Sequence, residues 1–271
     1  MDNAIEVKDL SFHYKDGTQA LDKLCLTVGQ GSKVALLGPN GSGKSTLLLH
    51  LNGINTVQQG TVKILGETIS RANEKRLKGK VGLVFQDPDD QIFSGTVWED
   101  VAFGPINQGL RGVELEQRVE QALRSVKMEQ HSQKVPYHLS YGQKKRVAIA
   151  GVLAMNPDIL VLDEPVAFLD PAGKHALFEI LDDLNHQGKT ILAATHDVNL
   201  ATRWADQVII LYNGQVLAQG APSLLTDAAL VQQASLELPT VTEIFLPFPE
   251  LCQQKTPVTV QEAQEKIRGL L

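Results

Sequence analysis

Apolar and polar residues alternate along Ile5-Glu6-Val7-Lys8-Asp9-Leu10-Ser11-Phe12, the pattern of a strand with one buried face. Residues 21–28 read as a second strand, with Lys15-Asp16-Gly17 as the turn before it. Short unbroken apolar runs follow at 34–37, 81–85 and 159–162, and residues 190–195 read as a further strand. Such runs suit strands of a parallel sheet covered on both faces. Residues 60–64 form a further strand, with Gly66 in its turn. Residues 208–212 and 215–217 flank Asn213-Gly214, a type I′ hairpin signal. From Thr96 to about Leu139 the period changes. Val97, Val101 and Phe103, then Leu115, Val119, Ala122, Leu123 and Val126, recur at helical spacing. Another helix carries Leu177, Ile180, Leu181 and Leu184 on one stripe, opens at Asp170-Pro171 and closes at Gly188. The expected fold is α/β: a parallel sheet with a small helical insert between two of its strands. Beyond Gly220 the pattern breaks at Pro239, Pro247, Pro249 and Pro257, in a segment with six acidic and three basic residues. Residues 221–271 read as an accessory segment, partly helical near Val260 to Leu270.

Composition narrows the class. A chain of 271 residues has ample length for a large core, and 43% hydrophobic content is ordinary for a globular protein. A net charge of -6 argues against a nucleic-acid partner. Cys25 and Cys252 match no metal spacing and fit a reducing compartment. No apolar run reaches the ~18 residues of a membrane span, and the first residues lack the basic start and apolar core of a signal peptide. Work at a membrane would require a partner to hold the chain there.

Candidate chemistry begins right after the run 34–37, at Gly38-Pro39-Asn40-Gly41-Ser42-Gly43-Lys44-Ser45-Thr46. This matches the phosphate-binding P-loop pattern in a strand–loop–helix setting. Glycines let the backbone turn its N–H groups onto a polyphosphate, and the following helix points its positive end there. Lys44 supplies a mobile cation for the β- and γ-phosphates, and the Ser45 hydroxyl a hard ligand for Mg²⁺. Tyr14, at the end of the first strand, is either a half-exposed strand aromatic or a platform for a purine.

Polar residues close other strands: Gln86, Asp163-Glu164 and His196. Ligands of open parallel sheets bind at that edge. Two carboxylates ending a buried strand call for a cation. Asp163 is placed to ligate Mg²⁺ through water, and Glu164 to deprotonate an attacking water. Leu139-Ser140-Tyr141-Gly142-Gln143 precedes an apolar helix whose first turn carries Lys144, Lys145 and Arg146. Basic residues there oppose the helix macrodipole, which makes sense if an anion docks on the Ser140 hydroxyl and the Gly142 N–H. Because the P-loop already has its own helix, this second helix start points to a nucleotide shared between two chains. The plainer alternative is a solvated basic turn with Ser140 as an ordinary N-cap.

Together these segments resemble the ATP-binding cassette family, the ATPase subunits of ABC transporters, over roughly residues 4 to 225. The resemblance implies an α/β P-loop NTPase core at 1–220, with an N-terminal antiparallel β-subdomain and a helical subdomain at about 96–156, then the extension 221–271. It implies ATP and Mg²⁺ as cofactors. It makes Glu164, His196 and Lys44 the catalytic residues. Tyr14, Gly38 to Thr46, Gln86, Ser140, Gly142, Gln143, Asp163 and Asp170 become nucleotide-binding residues, and Ser45, Gln86 and Asp163 Mg²⁺ ligands. Residues 86–93, 144–155 and the extension resemble the energy-coupling-factor importers of cobalt, nickel or vitamins. Tyr141 stands where the common signature has a glycine, as in the cobalt and nickel ATPases, and Phe168 replaces the glycine of the usual Thr-Ala-Gly-Leu-Asp run. Expected partners are a second cassette, identical or different, and transmembrane coupling and substrate-binding subunits, with the chain peripheral on the cytoplasmic face of the membrane. Residues 86–93 and the helical insert are the expected docking face. A soluble cassette of translation or DNA repair usually has two cassettes or a long coiled coil, and neither is found. A P-loop kinase leaves 139–143 without a purpose, and a non-hydrolysing module leaves Glu164 and His196 without one.

Overall fold

The computed structural model describes residues 2–252 and 256–269. Met1, residues 253–255, and Leu270 and Leu271 at the end of the expected accessory segment lie outside the described residues. β1 (Asn3–His13) and β2 (Gln19–Gly29) pair antiparallel. β3 (Lys33–Leu37) runs through the P-loop into α1 (Lys44–Leu51). β4 (Gln59–Ile64) and β5 (Glu67–Thr68) complete a four-stranded antiparallel sheet in the order β2-β1-β4-β5. The alternation read from 5–12 is visible in β1, where Ile5, Val7, Leu10 and Phe12 are buried.

After α2 (Glu74–Lys78) and β6 (Val81–Val84) come three longer helices: α3 (Val97–Asn107), α4 (Gly112–Ser125) and α5 (Tyr141–Ala154). Then follow β7 (Ile159–Asp163), α6 (Pro171–His186), β8 (Thr190–Thr195), α7 (Val198–Trp204), β9 (Gln207–Tyr212) and β10 (Gln215–Gly220). The second sheet has the order β10-β9-β3-β8-β7-β6, parallel except for β10. β3, β8 and β7 lie inside the sheet, β6 forms one edge, and β8 is buried at every position. Asn213 and Gly214 both have positive φ, 47° and 75°, as a type I′ hairpin requires. One core cluster fills the space between the two sheets around α1, with Leu47, Leu48 and Leu51. Another joins the sheet to α3, α4, α5 and α6. α3 is fixed at its start by a capping box between Thr96 and Glu99.

The tail holds more helix than the reading near Val260 provides. α8 (Ala228–Gln233) and α9 (Thr240–Phe245) precede α10 (Val260–Arg268). Two of the prolines start elements rather than prevent them: Pro239 is the N-cap residue of α9 and Pro249 opens a 3-10 turn. Leu225, Val231 and Ala234 are buried against Ala201 of α7 and the β3–β9 strands. Among the described residues no helix is long and apolar enough to cross a membrane.

Candidate functional site

At Gly38 and Gly43 the P-loop passes neighbours that leave no room for a side chain. At Gly38, φ is +155° and a Cβ would sit 2.3 Å from the Leu211 carbonyl oxygen of β9. At Gly43, φ is +104° and a Cβ would sit 2.6 Å from the Ala20 carbonyl oxygen of β2. Any residue other than glycine forces these strands apart. Asn40 and Gly41 form the exposed tip, and Ser42 turns its hydroxyl inward. Lys44 is 6% exposed and donates from Nζ to the carbonyls of Gly38 (2.8 Å) and Pro39 (3.0 Å). Burial pushes its pKa down, while the charges of Glu164 and Asp163 pull it back up. Ser45 is exposed on the first turn of α1. Tyr14 hydrogen-bonds Thr46 Oγ1 through its hydroxyl at 2.8 Å and keeps 42% of its surface open. Its ring therefore flanks the start of α1.

β7 ends at Asp163, and Glu164 breaks the strand with φ of +41°. A non-glycine residue in this region costs about 1–2 kcal/mol. Here that cost is met with a fixed carboxylate. The Glu164 N–H donates to the Ala194 carbonyl (3.0 Å), the residue is 7% exposed, and Oε1 lies 2.9 Å from His196 Nδ1. His196 follows β8 and leaves most of its ring open. Lys44, Asp163, Glu164 and His196 thus share one edge of the parallel sheet. The sequence-derived ligands fit Mg²⁺ chemically: a carboxylate at Asp163, a hydroxyl at Ser45 and the amide oxygen of Gln86 are all hard donors. Among the described residues no cluster of three or more His, Cys, Asp or Glu side chains forms a metal site. A cation at this edge must take its other ligands from phosphate and water.

The remaining sequence-derived residues lie elsewhere. Ser140, Gly142, Gln143 and Asp170 line a cleft of about 500 Å³ between the start of α5 and the start of α6, and no P-loop residue lines it. Ser140 is the N-cap of α5: its Oγ accepts from the Gln143 N–H (3.3 Å), and Gln143 Oε1 accepts from the Ser140 N–H (3.0 Å). Asp170 caps α6 by accepting from the Gly173 N–H at 2.7 Å.

The structure corrects the electrostatic argument for α5. Two of the three cations in its first two turns already have partners inside the chain. Lys144 pairs with Asp89 at 2.7 Å. Lys145 is fully buried, and its Nζ donates to the carbonyls of Phe85 (2.9 Å) and Gln86 (2.6 Å). Burial lowers its pKa to about 8, against the charges of Asp163, Asp87 and Glu164. The macrodipole conflict is therefore met by protein acceptors for two of the cations. Lys145 and Arg146 both line the cleft, and of the two Arg146 has no hydrogen-bond or ion-pair partner among the described residues. Lys145 was legible in one respect: it lies four residues before Ile149, on the buried face of its helix.

Gln86 itself is exposed beyond β6, and its carbonyl also accepts from the Tyr141 hydroxyl at 3.1 Å. Gln91 and Ile92 are half-buried rather than exposed. Gln91 uses its side-chain amide to bind the Phe85 N–H (3.1 Å) and the Leu83 carbonyl (3.3 Å). Phe93 is the exposed residue of the three, in edge-to-face contact with Phe103 at 4.8 Å. Both line a groove of about 450 Å³ whose floor includes Val147, Gly151 and Met155 of the α5 region.

The ABC transporter family pattern matches residues 21–167. The energy-coupling factor transporter ATP-binding protein EcfA of Carboxydothermus hydrogenoformans is 48% identical over the full length of both chains. EcfA of Methanocaldococcus jannaschii is 50% identical over 243 residues, covering 89% of this chain and 87% of its own. Among solved structures, cbiO1 of Clostridium perfringens, part of the ABC transporter complex cbiONQ, superposes with a TM-score of 0.78 at 38% identity, covering 90% of this chain and 99% of the other. A dimeric ATP-binding cassette in a post-hydrolysis state with ADP and Pi superposes at 0.72 and 31% identity, covering 80% and 98%. The chain belongs to the ABC transporter family, as an ATP-hydrolysing cassette of the energy-coupling factor type.

Proposed function

We propose that this chain works as one of two cassettes that bind ATP between them, each ATP held by the P-loop of one chain and by Ser140, Gly142 and Gln143 of the other. The observation that carries this reading is the separation of the two half-sites. The P-loop, Asp163, Glu164 and His196 lie at the sheet edge, while Ser140 and Asp170 line a cleft with no P-loop residue. In the proposed site Lys44 moves from its loop carbonyls to the phosphates. Tyr14 stacks on the purine. Glu164, held by His196 at 2.9 Å, accepts the proton of the attacking water. Ser45, Asp163 and Gln86 hold Mg²⁺, which neutralises phosphate charge when bound. The second cassette is either a copy of this chain or a related one.

The chain would sit on the cytoplasmic face of the membrane, docked through the Phe93–Phe103 groove to a transmembrane coupling subunit that works with a substrate-binding subunit. Exposed aromatic rings beside a concave apolar floor support that choice. Cobalt or nickel is the proposed cargo, supported by the resemblance at Tyr141 and the likeness to cbiO1. The test has two arms. A cysteine at Phe93, the exposed position, should cross-link to a cysteine on a cytoplasmic helix of the membrane subunit. Cross-links confined to 221–269 would sink the docking assignment. Cells expressing the complex should accumulate radioactive cobalt or nickel in an ATP-dependent way. Accumulation of a vitamin instead would move the cargo assignment and leave the ATPase role intact.

A further inference from the structure

Three segments distant in sequence meet at Tyr141. Its hydroxyl donates to the Gln86 carbonyl at 3.1 Å. Its ring meets Phe168 edge-on, with centroids 5.7 Å apart and planes at 78°. One turn further along α5, Lys145 adds a second donor to the same Gln86 carbonyl at 2.6 Å. The start of α5 and the end of β6 are therefore fastened to each other. Phe168 is the unusual member. It is 79% exposed and holds φ of +61°. A bulky residue in that conformation is destabilised by about 1–2 kcal/mol, and so little burial offers scant compensation. Its ring contact is with Tyr141, and both side chains line the cleft that also contains Ser140 and Asp170.

We propose that Tyr141 is a positioning residue that carries the state of a chain's own nucleotide site, read at Gln86, to the face the chain turns to its partner's nucleotide. The hydroxyl is anchored at the Gln86 backbone and the ring at Phe168, so a shift of Gln86 displaces the aromatic pair. Phe168 lies in the loop between Glu164 and Asp170, and Tyr141 lies next to Ser140. The same displacement therefore reaches both segments that line the cleft. The consequence is cooperativity between the two ATP sites. This inference rests on the two-chain reading above.

The test separates the hydroxyl from the ring. Tyr141→Phe removes the bond to Gln86 and keeps the aromatic contact. Phe168→Ala removes the contact and keeps the bond. In the full chain, the affinity for a fluorescent ATP analogue without hydrolysis should stay within about twofold for each. The Hill coefficient of ATP hydrolysis should fall in each, with kcat reduced roughly 5-fold or more. The double variant should be no worse than the poorer single, because both substitutions cut one connection. Phe168→Tyr, which keeps an aromatic ring, should retain the cooperativity. Additive losses, unchanged cooperativity, or a fall in nucleotide affinity matching the fall in kcat would each overturn the inference. A Glu164→Gln chain serves as the control for the shared site. If it stays monomeric with Mg²⁺ and ATP, the two-chain reading fails and the inference with it. If it dimerises while Tyr141→Phe keeps full cooperativity, the inference alone fails.

Discussion

The two helix starts proposed to face nucleotide, before α1 and before α5, place their cations differently. At α1 the cation is local. Lys44 bonds carbonyls five and six residues back in its own loop, with Asp163 and Glu164 close enough to favour its charge. At α5 the cations reach far. Lys144 and Lys145 bond Asp89, Phe85 and Gln86, 55 to 60 residues earlier in the chain. The first arrangement leaves a charge that a bound phosphate can recruit by a side-chain swing. The second spends its charges on tying α5 to the end of β6 and leaves the N-cap box of Ser140 and Gln143 to face outward. A local cation serves ligand binding, and a long-range cation serves the mechanical connection between segments.

Removing the local cation should have the largest effect. Lys44→Ala takes away the charge in the phosphate cradle, so phosphate release by the purified variant should fall to background while its circular dichroism stays native. The Gly38 carbonyl it frees is buried and the Pro39 carbonyl half-buried, so the variant should also lose about 1–3 kcal/mol of stability while staying folded. Near-normal turnover by a folded variant would remove the assignment of this edge as the catalytic one.

Next in size is Glu164→Gln. The amide keeps the shape and a hydrogen bond but accepts no proton, and losing a general base costs about 10²–10⁴-fold in rate. With one negative charge fewer beside the γ-phosphate, ATP should be retained. Light scattering should then find an ATP-dependent dimer that Ser140→Arg abolishes and ADP does not produce. Hydrolysis at the wild-type rate would show that Glu164 is not the base.

This contrast also marks how much of the molecule was legible in the sequence. The P-loop, the strand-end residues and the Asn213-Gly214 hairpin were legible because their chemistry lies within a few residues of chain. Glycines at 38 and 43 are demanded by β9 and β2, yet the loop pattern already names them. The partners of Lys144 and Lys145 were not legible. Charge in a first helical turn looks the same whether it awaits an anion or reaches a carbonyl from another element. The half-burial of Gln91 escaped for the same reason, since its side-chain amide is drawn in by the end of β6. In the tail, proline was read as a breaker where it starts α9.

A smaller effect should follow from loosening the long-range cation. Lys145→Met fills the same space but leaves the Phe85 carbonyl without its donor, and should cost about 1–2 kcal/mol at neutral pH. The cost should depend on pH. Burial holds the folded lysine near about 8, against the ordinary value of 10.5. Between those values the unfolded chain binds more protons than the folded one, so wild type gains stability as pH rises through that window. Lys145→Met has no such gain, so the gap between their urea midpoints should widen from neutral pH to about pH 10. A gap that narrows would mean that Lys145 is not the buried cation its surroundings make it.

The smallest effect expected is a gain. Phe168 sits at φ of +61° with most of its surface open, so its strain is not returned by burial. Glycine at this position removes a penalty of about 1–2 kcal/mol, and the greater freedom of glycine in the unfolded chain takes back about 0.4–1 kcal/mol of that. Phe168→Gly should therefore raise the urea midpoint slightly without changing the slope of the transition. Just after β7 the same strain is found at Glu164, with φ of +41°, and there glycine should abolish hydrolysis along with the strain. Comparing the two substitutions separates strain held for a reacting carboxylate from strain held for an aromatic contact. If Phe168→Gly lowers the midpoint instead, the edge contact with Tyr141 stabilises the fold by more than the backbone strain costs, and the two ends of the nucleotide-facing edge are alike in what they spend strain on.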